Sequence, residues 1–374
     1  MIKVCHITSV HTRYDIRIFQ KECSSLADAG YQVVLMVCDD LNNEICNGVQ
    51  IKSLGYRPNS RKQRVLTTDS EIIDAALEEK AIIYHLHDPE LLRFAKKLHK
   101  SGAKVIFDSH EFYALQLLEK KYIPQFLRKY VKFVYSFLEK QWLKNIDTVI
   151  VPCTIDGKNY FSDRAKQTCF ISNVPKLDEF NEKKIDGEKI LCQAGGLTYN
   201  RGIWHLVKAM ELIDAKLILA GPFESIEFQE QIESMNHQGK VEYLGCLDRD
   251  EIHKIYQRTS IGLATMLDKG QYYHIDTLAT KVYEFMSMGI PVVLSDTSYA
   301  REILKQYPFG MAVDASFPNE IANAVNYILN HEEIAKKMSE AGRRAVKERY
   351  NWDKEAEKLK ILYSNLLSNI MGEI

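Results

Sequence analysis

The stretch Ile190-Leu191-Cys192-Gln193-Ala194-Gly195-Gly196-Leu197-Thr198-Tyr199-Asn200-Arg201-Gly202 decides how this chain is read. Five mostly apolar residues run into paired glycines, and an apolar-periodic helix is predicted from Ile203 to Ile213. A short apolar run, a tight turn and a helix make up the βα unit of a sheet buried on both faces. Outward from it the same alternation recurs, with strands predicted at Lys216–Ala220, Val241–Leu244, Ile261–Ala264, Pro291–Ser295 and Gly310–Val313. On the N-terminal side another series reads Ile2–Ile7, Tyr31–Cys38, Ala81–His85, Lys104–Asp108 and Thr148–Pro152, with a helix over Ile16–Ala29 closed by Gly30. The fold class is therefore α/β, with two doubly wound parallel sheets.

A length of 374 residues suits two domains. They are placed at 1–170 and 188–350, joined by a linker over 171–187 that holds Pro175 and the charges Asp178, Glu179, Glu182, Lys183 and Lys184. The tail 351–374 is expected to form an amphipathic helix that returns to the first domain. Lys plus Arg (49) against Asp plus Glu (50) leaves a net charge of -1, which argues against nucleic acid as a partner. The eight cysteines include no C-x-x-C pair, as expected of free thiols in a reducing compartment. The start at Met1-Ile2-Lys3 has no leader pattern and no window is apolar enough to span a bilayer, so a cytoplasmic location is expected.

Residues just beyond strand ends are where open parallel sheets bind ligands. Gly195-Gly196 with Arg201 can hold a phosphate, through close backbone approach, a helix N-terminus and a bidentate cation. The plain alternative is a tight turn with a solvated arginine. The turn lacks the Walker Lys-Ser/Thr ending and is not G-x-G-x-x-G, so a dinucleotide has little support. Further on, a helix over Thr280–Met288 stopped by Gly289 and Pro291 carries Lys281 and Glu284, with Asp276 in the loop before it. A carboxylate at 284 can grip sugar hydroxyls or simply pair with Lys281.

These segments, taken with Leu219-Ala220-Gly221-Pro222 and Val241-Glu242-Tyr243-Leu244-Gly245, resemble the C-terminal domain of GT-B glycosyltransferases of the retaining family 4. In the first half, Asp15-Ile16-Arg17-Ile18, Gly30-Tyr31-Gln32-Val33, His85-Leu86-His87-Asp88-Pro89-Glu90 and Asp108-Ser109-His110-Glu111 are similar to the same family. The resemblance implies two Rossmann-like domains facing a cleft, an acceptor-binding N-terminal one and a nucleotide-sugar-binding C-terminal one. It implies that Arg201 holds the donor diphosphate beside Gly195, Gly196 and Lys281, and that Glu284 bonds the ribose. His110 would approach the donor sugar, with Asp88 and Asp276 as further catalytic candidates, and His11, His85, His87 and Glu111 would line the cleft. No cofactor and no metal are expected. Two departures stand out: Asp276 occupies the place of the first acid of an E-x7-E pattern, and Gly196 stands where many members carry an arginine. The implied work is sugar transfer to a glycan or polyprenyl-diphosphate-linked acceptor in capsule, exopolysaccharide or lipopolysaccharide assembly. The alternatives are a nucleotide-sugar 2-epimerase and a non-catalytic nucleotide-sugar binder.

Between 120 and 144 the basic residues Lys120, Lys121, Arg128, Lys129, Lys132, Lys140 and Lys144 face a lone acid, Glu139. Ile123, Phe126, Leu127, Tyr130, Val131, Val134, Phe137 and Leu138 share one helical face. Such a helix either lies on an anionic membrane or packs its apolar side on the sheet, and Pro124 starts or kinks it.

Overall fold

A computed structural model describes residues 2–120, 123–177, 179, 188–235 and 239–372. Lys121, Asp178, Glu182, Lys183 and Lys184, named above, lie outside the described residues. The chain divides into two compact units, Met1–Asn173 with Lys354–Ile374, and Val174–Asp353.

The first unit holds an eight-stranded sheet of β1 (Lys3–Ile7), β2 (Gln32–Val37), β3 (Glu44–Cys46), β4 (Val49–Ser53), β5 (Ile83–Leu86), β6 (Lys104–Asp108), β7 (Thr148–Val151) and β8 (Thr168–Phe170). Their order is β3-β4-β2-β1-β5-β6-β7-β8, parallel except for the β3–β4 pair. The central strands are buried on both faces, as their unbroken apolar runs require. Three strands were not foreseen: β3 and β4 form a short hairpin at one edge, and β8 takes up Phe170 at the other. The segment expected as one helix opens with wide π turns over Ile16–Cys23 before an ordinary turn at Ser24–Asp28.

The second unit has β9 (Ile190–Ala194), β10 (Lys216–Ala220), β11 (Val241–Tyr243), β12 (Ile261–Ala264), β13 (Val292–Ser295) and β14 (Gly310–Val313) in the order β11-β10-β9-β12-β13-β14, all parallel. The unit begins inside the stretch read as linker. Val174 is buried in its core, and the Trp352 N–H donates to the Pro175 carbonyl at 2.8 Å. The last helix, Trp352–Gly372, starts with Trp352 buried in the second unit and carries Tyr363 into the interior of the first.

Each sheet has a place where neighbouring strands lead away in opposite directions, between β1 and β5 in the first and between β9 and β12 in the second. The carboxyl ends of strands at such a point leave a crevice that side chains can line.

Candidate functional site

In the second unit the turn after β9 is drawn tight against the turn after β10. The Gly195 N–H donates to the Ala220 carbonyl at 2.8 Å, and the Leu197 N–H to the Pro222 carbonyl at 2.8 Å. Gly221 has φ +133°, and a Cβ there would lie 2.1 Å from the Gly195 carbonyl oxygen, so only glycine fits. The N–H groups of Gly195 and Leu197 are thereby occupied within the turn, which leaves the side chains to provide the charge.

The Arg201 guanidinium folds back over that turn. A Cβ on Gly195 or Gly196 would sit 3.3 or 3.6 Å from its Nη1. An arginine at 196 would compete for the space that Arg201 fills, which gives the Gly196 departure a physical reason. Lys281 projects from the first turn of the helix Thr280–Met288, and its Nζ donates to the Ala194 carbonyl at 3.1 Å. Burial, together with the charge of Arg201, pulls the Lys281 ammonium down to about 7. Two cations therefore crowd one glycine turn, an arrangement that favours an anion.

Glu284 lies one turn further along the same helix and is buried, and its charge also acts on Lys281. It does not pair with Lys281. Arg249 Nη1 donates to its Oε1 at 2.7 Å and the Tyr256 hydroxyl to its Oε2 at 3.1 Å, while Arg249 Nε holds Glu179 at 3.0 Å. Asp276 is half-buried in the bend between Gln271–His274 and Thr280–Met288.

In the first unit the candidates gather at the ends of β1, β5 and β6. Asp88 is buried and accepts the Ser9 N–H at 2.6 Å and the Thr8 hydroxyl at 3.0 Å, so it pins the loop after β1. His11 stands in that loop with Nε2 3.6 Å from Asp88 and Nδ1 3.2 Å from Asp15. Burial opposes its charge, but the hydrogen bond to Asp15 and the carboxylates of Asp88 and Asp108 outweigh it, and its pKa is raised. The His11 and His110 rings approach to 4.9 Å, and His110 Nε2 reaches Asp108 at 3.1 Å. Glu111 is exposed just beyond.

Beneath them runs a chain of imidazoles. His87 Nδ1 is 3.2 Å from His110, His87 Nε2 is 2.9 Å from His6 Nδ1, and His6 Nε2 is 3.1 Å from the Tyr363 hydroxyl, which also reaches His85 at 2.9 Å. Burial, reinforced by the neighbouring histidines, depresses His6 and His85 well below the usual range, and burial takes His87 to about 4. These three rings are neutral near pH 7. His85 thus lies inside the sheet rather than at its rim. Arg17 grips Asp108 with two bonds of 2.7 and 2.9 Å. Burial would raise Asp108, but Arg17 and His110 hold it well below the ordinary carboxylate range, whereas burial and Asp108 push Glu22 well above its own.

Two groups, His6/Glu22/His85/His87 and His87/Asp108/His110, have ligand atoms within 4.8 Å of one another, close enough for a metal. His6 and His87 nevertheless use their ring nitrogens on each other, on Tyr363 and on His110, and Arg17 already neutralises Asp108. That pairing engages His6, His87 and Asp108, while the buried Glu22 carboxylate lies 3.2 Å from Arg17 and 3.9 Å from His85 Nε2.

Comparison with known proteins now fixes the family. The profile of Glycosyl transferases group 1 matches residues 176–345, and that of Glycosyltransferase Family 4 matches 17–160. The chain belongs to the group 1, family 4-like glycosyltransferases. An uncharacterized glycosyltransferase of Methanocaldococcus jannaschii is 27% identical over 192 residues, 50% of this chain and 47% of that protein. Spore coat protein SA of Bacillus subtilis is 23% identical over 192 residues, 49% of this chain and 50% of that protein. The matched region thus spans about half the length of these curated relatives. Among solved structures, sucrose-phosphate synthase from Thermosynechococcus elongatus gives a TM-score of 0.78 at 18% identity, covering 99% of this chain and 100% of that one. Anabaena HepE in complex with UDP and glucose gives 0.72 at 12% identity, covering 98% and 100%. At such identities the likeness is one of fold, the GT-B fold.

In this family 4-like glycosyltransferase the structure brings Gly195, Gly196, Arg201 and Lys281, all singled out from the sequence, to one place, and likewise His11, His87 and His110. It missed Arg249 and Tyr256, which hold Glu284, and His6, Arg17, Glu22 and Tyr363, which support the histidines. The signal for Arg17 and Glu22 was present in the segment Ile16–Cys23, where three charges, Arg17, Lys21 and Glu22, stand among apolar residues soon after a strand.

Proposed function

We propose that this chain moves a sugar from a nucleoside-diphosphate sugar onto a glycan or polyprenyl-diphosphate-linked acceptor, with retention at the anomeric carbon and without a metal, in the assembly of a surface polysaccharide. The observation that carries the reading is the Arg201 guanidinium lying over Gly195-Gly196 with the Lys281 ammonium beside it at the β9 end. As the bond to the anomeric carbon breaks, charge grows on the leaving diphosphate. Two preorganised cations in a partly buried turn stabilise that charge more than they stabilise the ground state. The leaving phosphate then takes the proton of the acceptor hydroxyl, so no enzyme nucleophile is required. Glu284 receives the ribose. Arg249 and Tyr256 hold its carboxylate in place, and each oxygen keeps a second lone pair for a hydroxyl. His110 serves the donor sugar, with Asp276 and Asp88 as lesser candidates; His11 and Glu111 attend the acceptor, and His87 supports His110 from beneath. The UDP and glucose in Anabaena HepE support this donor class.

A thermal-shift screen against UDP-, GDP-, ADP- and CMP-sugars tests the reading. A ligand at about 100 times its dissociation constant adds roughly 2.7 kcal/mol. One donor class is expected to stabilise the protein, and nucleotide release is expected only when an acceptor is added. Release without an acceptor would indicate epimerisation, and binding without any turnover a non-catalytic binder.

Lys281 gives a second test. In the free protein it loses its charge as pH rises through about 7. A bound diphosphate favours the charged form, so binding takes up a proton on the alkaline side. Affinity for a nucleotide-sugar, whose pyrophosphate diester has no proton to lose in this range, is expected to fall by up to about tenfold per pH unit above about 7. Titration calorimetry across that range should show the slope, and Lys281→Met should flatten it while weakening binding at the acidic end.

A further inference from the structure

The helix Gln125–Trp142 is packed the wrong way round for an ordinary surface helix. Its apolar side faces outward, with exposures of 83% at Phe126, 66% at Tyr130, 71% at Phe133 and 59% at Phe137. Spacings of four, three and four residues set these rings in one stripe, bordered by the exposed Leu127, Val134 and Leu138. The side turned inward carries Glu139, which is buried and bound to Arg164 at 3.2 Å, and Tyr135, whose ring meets Tyr113 at 4.9 Å. Burial lifts Glu139 to about 7 against the pull of Arg164. The alternative in which the helix packs its apolar side on the sheet is therefore overturned. Pro124 stands just before its first residue, so it starts the helix and does not kink it.

Exposed apolar side chains are ordinary when scattered and informative when contiguous. Here the charge pattern selects what covers them. Lys129, Lys140 and Lys144 are exposed and Lys132 is half-buried, while Arg128 is turned onto the carbonyls of Ile123 and Leu118. The lone acid of 120–144 is the buried Glu139, so the helix turns no carboxylate outward beside its apolar stripe, and the exposed Asp163 that faces Lys140 is paired with Arg164 at 3.3 Å. A second copy docked on this stripe would bring lysines against lysines. A surface of anionic headgroups over hydrocarbon meets both demands, since aromatic rings settle at the headgroup boundary and lysine stems reach up to the phosphates. Among the described residues no helix is long and apolar enough to cross a membrane, so this would be attachment along the surface.

We infer that the helix Gln125–Trp142 docks the protein on an anionic lipid bilayer through its Phe126/Tyr130/Phe133/Phe137 stripe and lysine edge. The inference rests on this helix alone and stands apart from the reading of the donor site. If both hold, a lipid-linked acceptor would be met at the surface that carries it.

Co-sedimentation of the full chain with vesicles tests the inference. The parent is expected to pellet with phosphatidylglycerol-containing vesicles at low salt, to be released as salt rises, and to stay in solution with phosphatidylcholine alone. Lys129→Gln with Lys140→Gln should weaken partitioning about fivefold per lysine removed. Phe126→Ser with Phe133→Ser should abolish it, and an unchanged unfolding midpoint in all variants would show that these exposed positions are not needed for folding. Failure of the parent to pellet with anionic vesicles at low salt would overturn the inference. So would binding that ignores both sets of substitutions, or a dimer in solution that the serine variants dissociate while vesicle binding is absent.

Discussion

Replacing Arg201 with alanine should lower turnover of a nucleoside-diphosphate sugar by roughly 10² to 10³-fold, with a smaller effect on donor affinity. The size follows from where the guanidinium sits. It lies over Gly195 and Gly196, and the glycine at 196 leaves no second arginine on that turn to take its place. Lys281 remains, but its buried ammonium is pulled toward neutrality, so it cannot carry the full charge near pH 7 and above. Removing Arg201 also removes a repulsive neighbour of Lys281, which should then hold its proton to higher pH and recover a little of the loss. A variant within a few-fold of the parent in steady-state kinetics would separate this turn from the reaction altogether.

The largest expected effect on stability comes from the other unit. Arg17→Met would leave the Asp108 carboxylate, wholly buried at the end of β6, without its bidentate partner. Breaking a buried pair from one side costs about 3–5 kcal/mol, because the remaining charge is stranded. Arg17 also donates to the Ile171 carbonyl at 3.2 Å, which would lose its partner too. Urea unfolding should therefore show a marked fall in midpoint for the first unit. Arg17→Met combined with Asp108→Asn should recover part of it, since the stranded charge is then gone. Equal losses in the single and double variants would mean that packing around Arg17, and not its charge, holds the site.

Much of the architecture could be read before any coordinates because buried parallel strands leave a strong mark. Val33-Val34-Leu35-Met36-Val37 and Val292-Val293-Leu294 are runs that a half-exposed strand would not carry. Edge strands leave little trace, and Glu44–Cys46 and Thr168–Phe170 are three residues each and only partly covered. The cluster at the turn after β9 was legible because its members are tied to local chain geometry, a strand end, two glycines and a helix start. The inner part of the imidazole chain, His6 with Tyr363, was not, because its members come from β1 and the last helix and meet the histidines of β5 only in the folded unit. Arg17 and Glu22 were hidden for another reason: wide turns pair residues five apart, a spacing that a 3.6-residue period places on different faces. The helix Gln125–Trp142 shows a further limit, since periodicity reveals that two faces differ but not which one is turned inward.

Tyr363 sits in the interior of a unit whose residues, apart from the closing segment Lys354–Ile374, all precede position 174. During synthesis on the ribosome the second unit, contiguous from 174 to 353, is complete before the first has received its closing segment. Its neighbour must wait with His6 and His85 lacking their shared phenol until the last turns emerge from the exit tunnel. Nascent chains stalled just short of that point should therefore protect the downstream half from protease while the upstream half is still cut.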